Sequence, residues 1–425
     1  MPPAYEVVRD PLWDNITLDP AAVRLLDSAA MQRLRYVRQL GHAFLVYPGA
    51  THSRFEHALG AYHLTRRALA ALEARGELAD VPVSDRDAVA HAALLHDIGH
   101  YPFSHSLEEA GFPSHEAQGV ARLGGPELRA LLEETGGAGL GAEIGALIRG
   151  RSTSPLQGLI SGTLDLDKID YLCRDSRMCG VPYGTVDVDR LLAALIIVCR
   201  DGGRREIGVQ EKGVSALESL LFSKYQMYRN VYWHHAVRSA TCMFKRAARA
   251  AVRRGTVTLA GVAELTDDAF MQILIDADGG SLAAAIRARR LHKRAVDLPA
   301  SEVTAKPEEW IADDPDLTER VEDALAVQVG LEPGDLLLDF PSRHSMLGVD
   351  LPLRLRDGSI ERLTDEGMAG HLGLPRIAQE LYRSARRLRV FVARPVERGL
   401  EGVAALVEMT GEEVAKKLSA GSRLL

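Results

Sequence analysis

Residues Ala90–His105 read AHAALLHDIGHYPFSH, and the rest of the chain reads most simply as an arrangement around them. An apolar helical run closes on His96-Asp97, Gly99 falls just past the helix end, and His100 and His105 follow. Where a helix stops, the chain turns, and adjacent side chains converge instead of spreading around the axis. Imidazole nitrogens beside carboxylate oxygens bind divalent cations well.

Working outward, Arg54–Arg75 predicts a long helix, with Phe55, Leu59, Tyr62, Leu69 and Leu72 at three-to-four spacing. It carries His57 among apolar positions, where an unpaired imidazole is costly to bury. Ser84 reads as the N-cap of the helix ending at His96-Asp97, with Asp87 three residues on. Downstream, DLDKIDYLCRD places Asp165, Asp167 and Asp170 on one helical segment, more acids than a solvated face accounts for. His115-Glu116 crowds the same region.

Elsewhere, a polar lead with Asp10-Pro11 and Asp19-Pro20 precedes a predicted helix over Ala21–Leu40. Phe44–Tyr47 reads as a short extended piece stopped by Pro48-Gly49. Residues 106–190 read as helical, broken by glycine-rich loops at 136–142 and Gly180–Gly184. Ile196–Val198 and Glu206–Val209 flank Asp201-Gly202-Gly203 as a hairpin, and Ser215–Val252 reads as one long helical stretch. Past residue 260 come helices at 281–295 and 315–330, then strands at Leu336–Phe340, Leu351–Leu355, Ile360–Leu363 and Leu388–Val392. The expected fold is mainly α: a helical core over residues 1–260 and a smaller C-terminal α+β lobe over 261–425.

A hydrophobic share of 46% in 425 residues provides for large buried cores. The net charge of −7 argues against a nucleic-acid-binding surface overall, although Lys245–Arg254 and Arg287–Arg294 are locally basic. Cys173, Cys179, Cys199 and Cys242 form no CxxC pair, which favours reduced thiols over disulfides or a zinc ribbon. The first residues carry charges where a signal peptide needs an apolar core, and no run approaches the roughly 20 apolar residues of a membrane span. A cytoplasmic location is the expectation.

The order His57, His96-Asp97, Asp167 resembles the H…HD…D pattern of the HD-domain phosphohydrolase superfamily. The strings VRQLGHAFLVYPGATHSRFEHALG, LLHDIGHYPFSH and DLDKIDYLCRDS resemble, more narrowly, the dNTP triphosphohydrolases related to the SAM- and HD-domain enzyme. The likeness covers about residues 25–240 and thins in the C-terminal lobe; no SAM domain is recognisable. It implies metal ligation by His57, His96, Asp97 and Asp167. Such a donor set suits Mn²⁺, Fe²⁺, Zn²⁺ or Co²⁺, and a carboxylate such as Asp97 is able to bridge to a second ion such as Mg²⁺.

The resemblance further implies His105 as general acid, with His100, His115 and Glu116 holding water or neighbouring groups. Arg54 and Lys168 would contact phosphates, and Lys224 falls where relatives carry another basic residue. For each of these cations a solvated or snorkelling role competes. Gln39-Leu40 would touch the nucleoside, Tyr171 and Asp175 the sugar, and Tyr232 would stand beneath the sugar where a 2′-hydroxyl would clash. Tyr228 departs from the pattern, because some animal relatives have a histidine there. Asp27, Gln32 and Arg35 match positions that read a regulatory guanine nucleotide at a subunit contact, although the same helix also reads as a plain amphipathic interface.

The resemblance thus implies a metal-dependent enzyme splitting dNTPs into deoxynucleoside and triphosphate, as a homo-oligomer with a nucleotide activator. Two alternatives stay open. One is an HD-type phosphodiesterase, nucleotidase or nuclease, since the same ligands serve several phosphate esters. The other is a nucleotide- or nucleic-acid-binding regulator.

Overall fold

The structure, a computed structural model, describes residues 5–199, 203, 205–277, 281–303, 309–342, 350–364, 382–397 and 399–425. The chain opens not with a featureless polar lead but with an antiparallel hairpin, β1 (Glu6–Asp10) and β2 (Asp14–Leu18). Its turn is closed by Asp10, which accepts from the backbone N–H of Leu12 and of Trp13, both at 2.8 Å.

The helix expected over Ala21–Leu40 is broken. Asp19 caps α1 (Pro20–Leu26), and Ser28, in extended conformation, caps α2 (Ala29–Arg33). Each cap side chain accepts an N–H that a continuous helix would have used internally, so the chain restarts at Ser28. Phe44–Tyr47 is not a strand either. Residues Gly41–Leu45 form a 3₁₀ turn packed on a later helix, because no neighbouring strand is there to pair with them.

Next comes α3 (Arg54–Glu73), whose first turn is a capping box between Ser53 and Glu56. It packs on α4 (Val83–Leu95). Helix α4 begins one residue before Ser84, with Pro82 at the cap position, so Ser84 is not the N-cap. Helices α5 (His115–Leu123), α6 (Pro126–Gly136), α7 (Leu140–Ile148), α8 (Leu166–Cys179) and α9 (Val188–Ala194) complete the first core around α3 and α4.

Strands β3 (Leu195–Cys199) and β4 (Arg205–Gln210) form the expected hairpin; Asp201 and Gly202 of its turn lie outside the described residues. The long stretch from Ser215 is two helices, not one. Helix α10 (Val214–Met227) runs into a π-type turn at Tyr228–Tyr232, and α11 (His235–Arg253) restarts beyond it. Helices α12 (Leu259–Ala263), α13 (Asp267–Ala277) and α14 (Ser281–Arg287) follow in sequence, and α13 and α14 pack on α11.

The helix expected to run to residue 295 ends at Arg287, with Arg289 in the left-handed region at φ 54°. The chain then enters β5 (Lys293–Pro299). After α15 (Trp310–Asp313) and α16 (Pro315–Gln328) come β6 (Leu336–Asp339), β7 (Leu351–Arg354), β8 (Ile360–Leu363) and β9 (Arg387–Val392). Two short helices, Val403–Val407 and Gly411–Ser419, close the chain.

Sheet order explains the C-terminal part. Strands β5, β9 and β6 form one antiparallel sheet under α16, with Leu336, Leu338, Leu388 and Val390 in its core. Strands β7 and β8 instead extend the β3–β4 sheet, so Leu351, Leu353 and Leu363 belong to the first core. The architecture is mainly helical with a C-terminal lobe of strands and helices, as expected. Among the described residues, no helix is long and apolar enough to cross a membrane.

Candidate metal centre and active site

Three elements deliver the four residues that the sequence pattern singled out. Helix α3 presents His57, the C-terminal end of α4 presents His96 and Asp97, and the first turn of α8 presents Asp167. Helix α8 reaches α3 at Gly60, where a Cβ would lie 1.8 Å from Asp170 Oδ1. Only glycine permits that approach.

The donor atoms converge. His57 Nε2 lies 3.3 Å from His96 Nε2 and 2.8 Å from Asp167 Oδ1. His96 Nε2 is 3.3 Å from Asp97 Oδ1 and 3.5 Å from Asp167 Oδ1. Bonds of about 2.1 Å to one shared ion require ligand–ligand edges of about 3.0–3.4 Å; His57, His96 and Asp97 group closely enough to hold a cation, and Asp167 meets that group through the two imidazoles.

The tautomers fit as well. His96 Nδ1 donates to the Ala93 carbonyl at 2.8 Å, and His57 Nδ1 donates to Asp170 Oδ2 at 2.8 Å. Both rings therefore turn Nε2 toward the site, held by a hydrogen bond on the other nitrogen. Asp170 is itself held by Arg174, Nε to Oδ2 at 2.9 Å and Nη2 to Oδ1 at 3.0 Å, and by Trp13 Nε1 at 2.5 Å.

The electrostatics agree with that fit. Burial disfavours an imidazolium at His57, but Asp167 and Asp170 outweigh it and raise its pKa to about 10. Burial likewise opposes ionisation of Asp97, yet Arg54, His96 and His100 hold its carboxyl well below the ordinary range. A cation held there would take the place of the protons on the two imidazoles as partner of the carboxylates, and its binding would release them.

A second cluster adjoins the first. Ligand atoms of His100, His105, Glu108 and His115 all lie within 4.8 Å of one another, a grouping also able to hold a metal. His100 stacks on His115 with ring centroids 3.8 Å apart, and its Nε2 reaches Asp97 Oδ1 at 3.2 Å. Glu108 bridges His115 Nδ1 at 2.6 Å and His105 Nδ1 at 3.1 Å. Burial presses His100 well below its ordinary pKa, whereas Glu108 outweighs burial and raises His115. Gly99 makes this packing feasible, since a Cβ there would meet the His115 carbonyl at 2.1 Å. The His105 side chain is 59% exposed, so one imidazole of the cluster is open to solvent.

A cavity of about 570 Å³ is lined by His105 and Glu108 of the second cluster, and it meets the first cluster through Arg54, the partner of Asp97. Arg54, Ser104, His105 and Glu108 line it on the metal side, and Arg54 Nη1 pairs with Asp97 Oδ2 at 2.5 Å. Gln39, Leu40, Tyr171, Asp175, Tyr228 and Tyr232 line it further along, and Asp339–Ser342 of the C-terminal lobe close it. The volume falls in the range of small-molecule sites, about 300–1,000 Å³. Asp175 is fixed from two sides, by His52 Nε2 at 2.8 Å and by the Tyr232 hydroxyl at 2.7 Å.

Family models match this arrangement. Residues 54–175 match the HD domain, and residues 186–368 match the HD associated region. The protein belongs to the HD-domain phosphohydrolase superfamily. This HD protein is 36% identical over 270 residues to an uncharacterized protein of Methanocaldococcus jannaschii, covering 63% of the chain and 55% of that protein. It is 28% identical over 327 residues to the Homo sapiens deoxynucleoside triphosphate triphosphohydrolase SAMHD1, covering 64% of the chain and 51% of the relative. The chain thus spans about half the length of these curated relatives. A crystal structure of a hypothetical protein from Aquifex aeolicus superposes with a TM-score of 0.71 at 26% identity, covering 96% of this chain and all of that one. A phosphohydrolase from Bacteroides thetaiotaomicron shares the fold, with a TM-score of 0.70 at 23% identity over 92% of this chain and all of its own.

The four candidate metal ligands, His100, His115 and the remaining predicted residues of this HD protein do not line the cavity. Lys168 Nζ donates to the Gly162 carbonyl at 2.7 Å and pairs with Asp165. Lys224, with its ammonium 5.8 Å from the Tyr228 ring centre, is lowered to about 8 by burial and by Lys168. Glu116 Oε1 lies 3.7 Å from His115 Nε2. Asp27, Gln32 and Arg35 do not line the cavity; Arg35 Nε donates to Gln32 Oε1 at 2.8 Å and its guanidinium lies over Phe55.

Glu108, Asp170 and His52 were not assigned roles from sequence. Spacing offered a signal for Glu108, three residues past His105, and for Asp170, three past Asp167. Nothing local marked His52 as the partner of Asp175, because that contact spans 123 positions.

Proposed function

We propose that this protein is a metal-dependent deoxynucleoside triphosphate triphosphohydrolase, converting a dNTP and water to deoxynucleoside and triphosphate. One observation carries the reading. A single nucleotide-sized cavity has Arg54 and His105 toward the two metal-competent clusters and the Asp175–Tyr232 pair further along its wall. The 28% identity to a dNTP triphosphohydrolase supports the same choice.

His57, His96, Asp97 and Asp167 would hold the cation, which when bound supplies Lewis acidity at the α-phosphate and an acidified water. Arg54 and Lys168 bring positive charge to the triphosphate, Arg54 from a buried position shared with Asp97. His105 protonates the departing 5′-oxygen, and Glu108 orients its ring from Nδ1 so that Nε2 carries the proton to the substrate. Asp175 accepts a hydrogen bond from the sugar hydroxyl, while the Tyr232 ring fills the space a 2′-hydroxyl would need. A nucleotide activator, bound near Asp27, Gln32 and Arg35, and a homo-oligomer complete the proposal.

The test is an anaerobic screen of the four dNTPs with Mn²⁺, Fe²⁺, Co²⁺, Zn²⁺ and Mg²⁺, with products resolved by chromatography. Intact triphosphate is the expected product. Orthophosphate or a nucleoside monophosphate would instead make the protein a nucleotidase or diesterase, and no turnover with any metal would refute the reading.

A further inference from the structure

The loop between His100 and His105 is held in an uncommon conformation. Phe103 has φ 57° and ψ 27°, and Ser104 has φ 58°, two consecutive non-glycine residues in the left-handed region. A bulky aromatic residue pays a steric penalty there, and the conformation persists only where surrounding contacts over-determine it. His105 comes directly after these two residues, so their backbone angles set where its ring points.

The contacts that hold the loop come from far away in sequence. Asp267, the first residue of α13, is 1% exposed. Its Oδ1 accepts the Phe103 backbone N–H at 2.8 Å. Its Oδ2 accepts the Arg38 backbone N–H at 3.0 Å and Arg38 Nη1 at 3.2 Å. Nearby, Arg33 donates to the His100 carbonyl at 2.7 Å and to the Leu265 carbonyl at 3.1 Å. The Ser104 hydroxyl donates to the Arg38 carbonyl at 2.8 Å and accepts from Arg54 Nε at 3.0 Å. Segment 265–267 therefore ties the stretch leading to Gln39-Leu40 to the stretch leading to His105.

We infer that Asp267 is a positioning residue for catalysis: it holds the left-handed Phe103–Ser104 backbone, and so places His105 against the substrate-facing wall formed by residues 39–42. Asp267 is not among the cavity-lining residues, so it acts on the site only through the groups it holds, the Phe103 and Arg38 backbone N–H and the Arg38 guanidinium. Both carboxylate oxygens are used, each on a different strand of chain, which is why a carboxylate and not an amide belongs at this position. An asparagine offers one acceptor and one donor, and its NH₂ group would face an N–H on one side or the other. The inference gives a job to a residue of the HD associated region, and it rests on His105 being the proton donor of the proposed reaction.

The experiment compares the wild type with Asp267→Asn, and with Asp267→Ser as a second variant that keeps one hydroxyl acceptor. Hydrogen–deuterium exchange is followed in peptides covering 100–106 and, as a control, 88–97, and steady-state kinetics and metal content are measured on the same preparations. The expected result is faster exchange in 100–106 with 88–97 unchanged. It is accompanied by a kcat loss of at least about 10-fold, as small misplacements of reacting groups produce, with KM and metal content retained. Unchanged exchange in 100–106 overturns the inference. So does a kcat within about 2-fold of wild type despite faster exchange, since a tenfold loss is the least a misplaced acid should cause. Loss of folding in both variants, or KM and metal content falling together with kcat, also overturns it, because that pattern belongs to a structural residue. If the wild type hydrolyses no nucleotide, the functional proposal fails by itself, while the exchange data still judge whether Asp267 holds the loop.

Discussion

His42 lends itself to a quantitative test of how this core was assembled. Its ring lies between Phe103, stacked at 4.4 Å and 8°, and Phe244, tilted at 5.1 Å. Neither ring nitrogen has a hydrogen-bond partner among the described residues, and the side chain is buried. Burial, and secondarily the Arg38 charge, pull its pKa from 6.5 to about 3. The sign follows from linkage. The unfolded chain takes up a proton at this residue below about pH 6.5 and the folded one does not, so stability is fully present above 6.5 and declines as pH falls toward 3. Between pH 7.5 and pH 5.0 the loss is about 2 kcal/mol, since nearly 1.5 pH units at 1.36 kcal/mol each lie in that window. His42→Phe keeps an aromatic ring in the stack and removes the titration. Urea midpoints of metal-free wild type and variant, measured at pH 7.5, 6.0 and 5.0, should diverge by about that amount at the acid end, the variant being less acid-sensitive. Parallel pH dependences in the two proteins would refute the reasoning.

Four further outcomes are expected. His96→Ala and Asp167→Ala each remove one donor at a site the helices already frame, so bound metal and activity should vanish together while far-UV circular dichroism stays nearly unchanged; full occupancy by metal analysis would contradict the ligand assignment. Asp170→Asn weakens the carboxylate that orients His57 and should lower metal affinity by about 10–100-fold in competition with a chelator, with an unchanged affinity as the contrary result. Tyr232→Ala should lower dNTP turnover and narrow a dNTP-over-rNTP preference expected to exceed about 10-fold, or roughly 1.4 kcal/mol, and an unchanged ratio in a folded variant rejects Tyr232 as the gate. Sedimentation should find an oligomer, which a strict monomer with and without nucleotides and metal would disprove.

Much of the metal centre is legible in the chain because its signals are local. His96-Asp97 ends an apolar helical run, and His57 and Asp167 sit on strongly periodic segments, which marks each as a candidate; the resemblance to the HD pattern is what joins the four into one proposed donor set. The β3–β4 hairpin is marked locally too, where two apolar runs flank a glycine-rich turn. Local signals fail where a partner distant in sequence decides. Lys293–Pro299 continues a helical composition, yet β9 pairs with it and makes it a strand. Phe44–Tyr47 has strand-forming residues but no strand beside it. Ala21–Leu40 has the periodicity of one helix, and two cap side chains outweigh it.

What the amino-acid sequence determined by itself is therefore the helical class, which depends on spacings within single helices, and a set of candidate donors, proposed from their order in the HD pattern. The tertiary structure alone decided which groups serve those donors. Asp170 turns His57 Nε2 into the site, His52 holds Asp175 across 123 positions, and Asp267 holds the His105 loop across 164. Each of these contacts is a hydrogen bond of about 2.8 Å to a buried group, and such bonds form only after packing has excluded water from both partners. No periodicity along the chain encodes that exclusion; it arises where helices separated in sequence pack against one another.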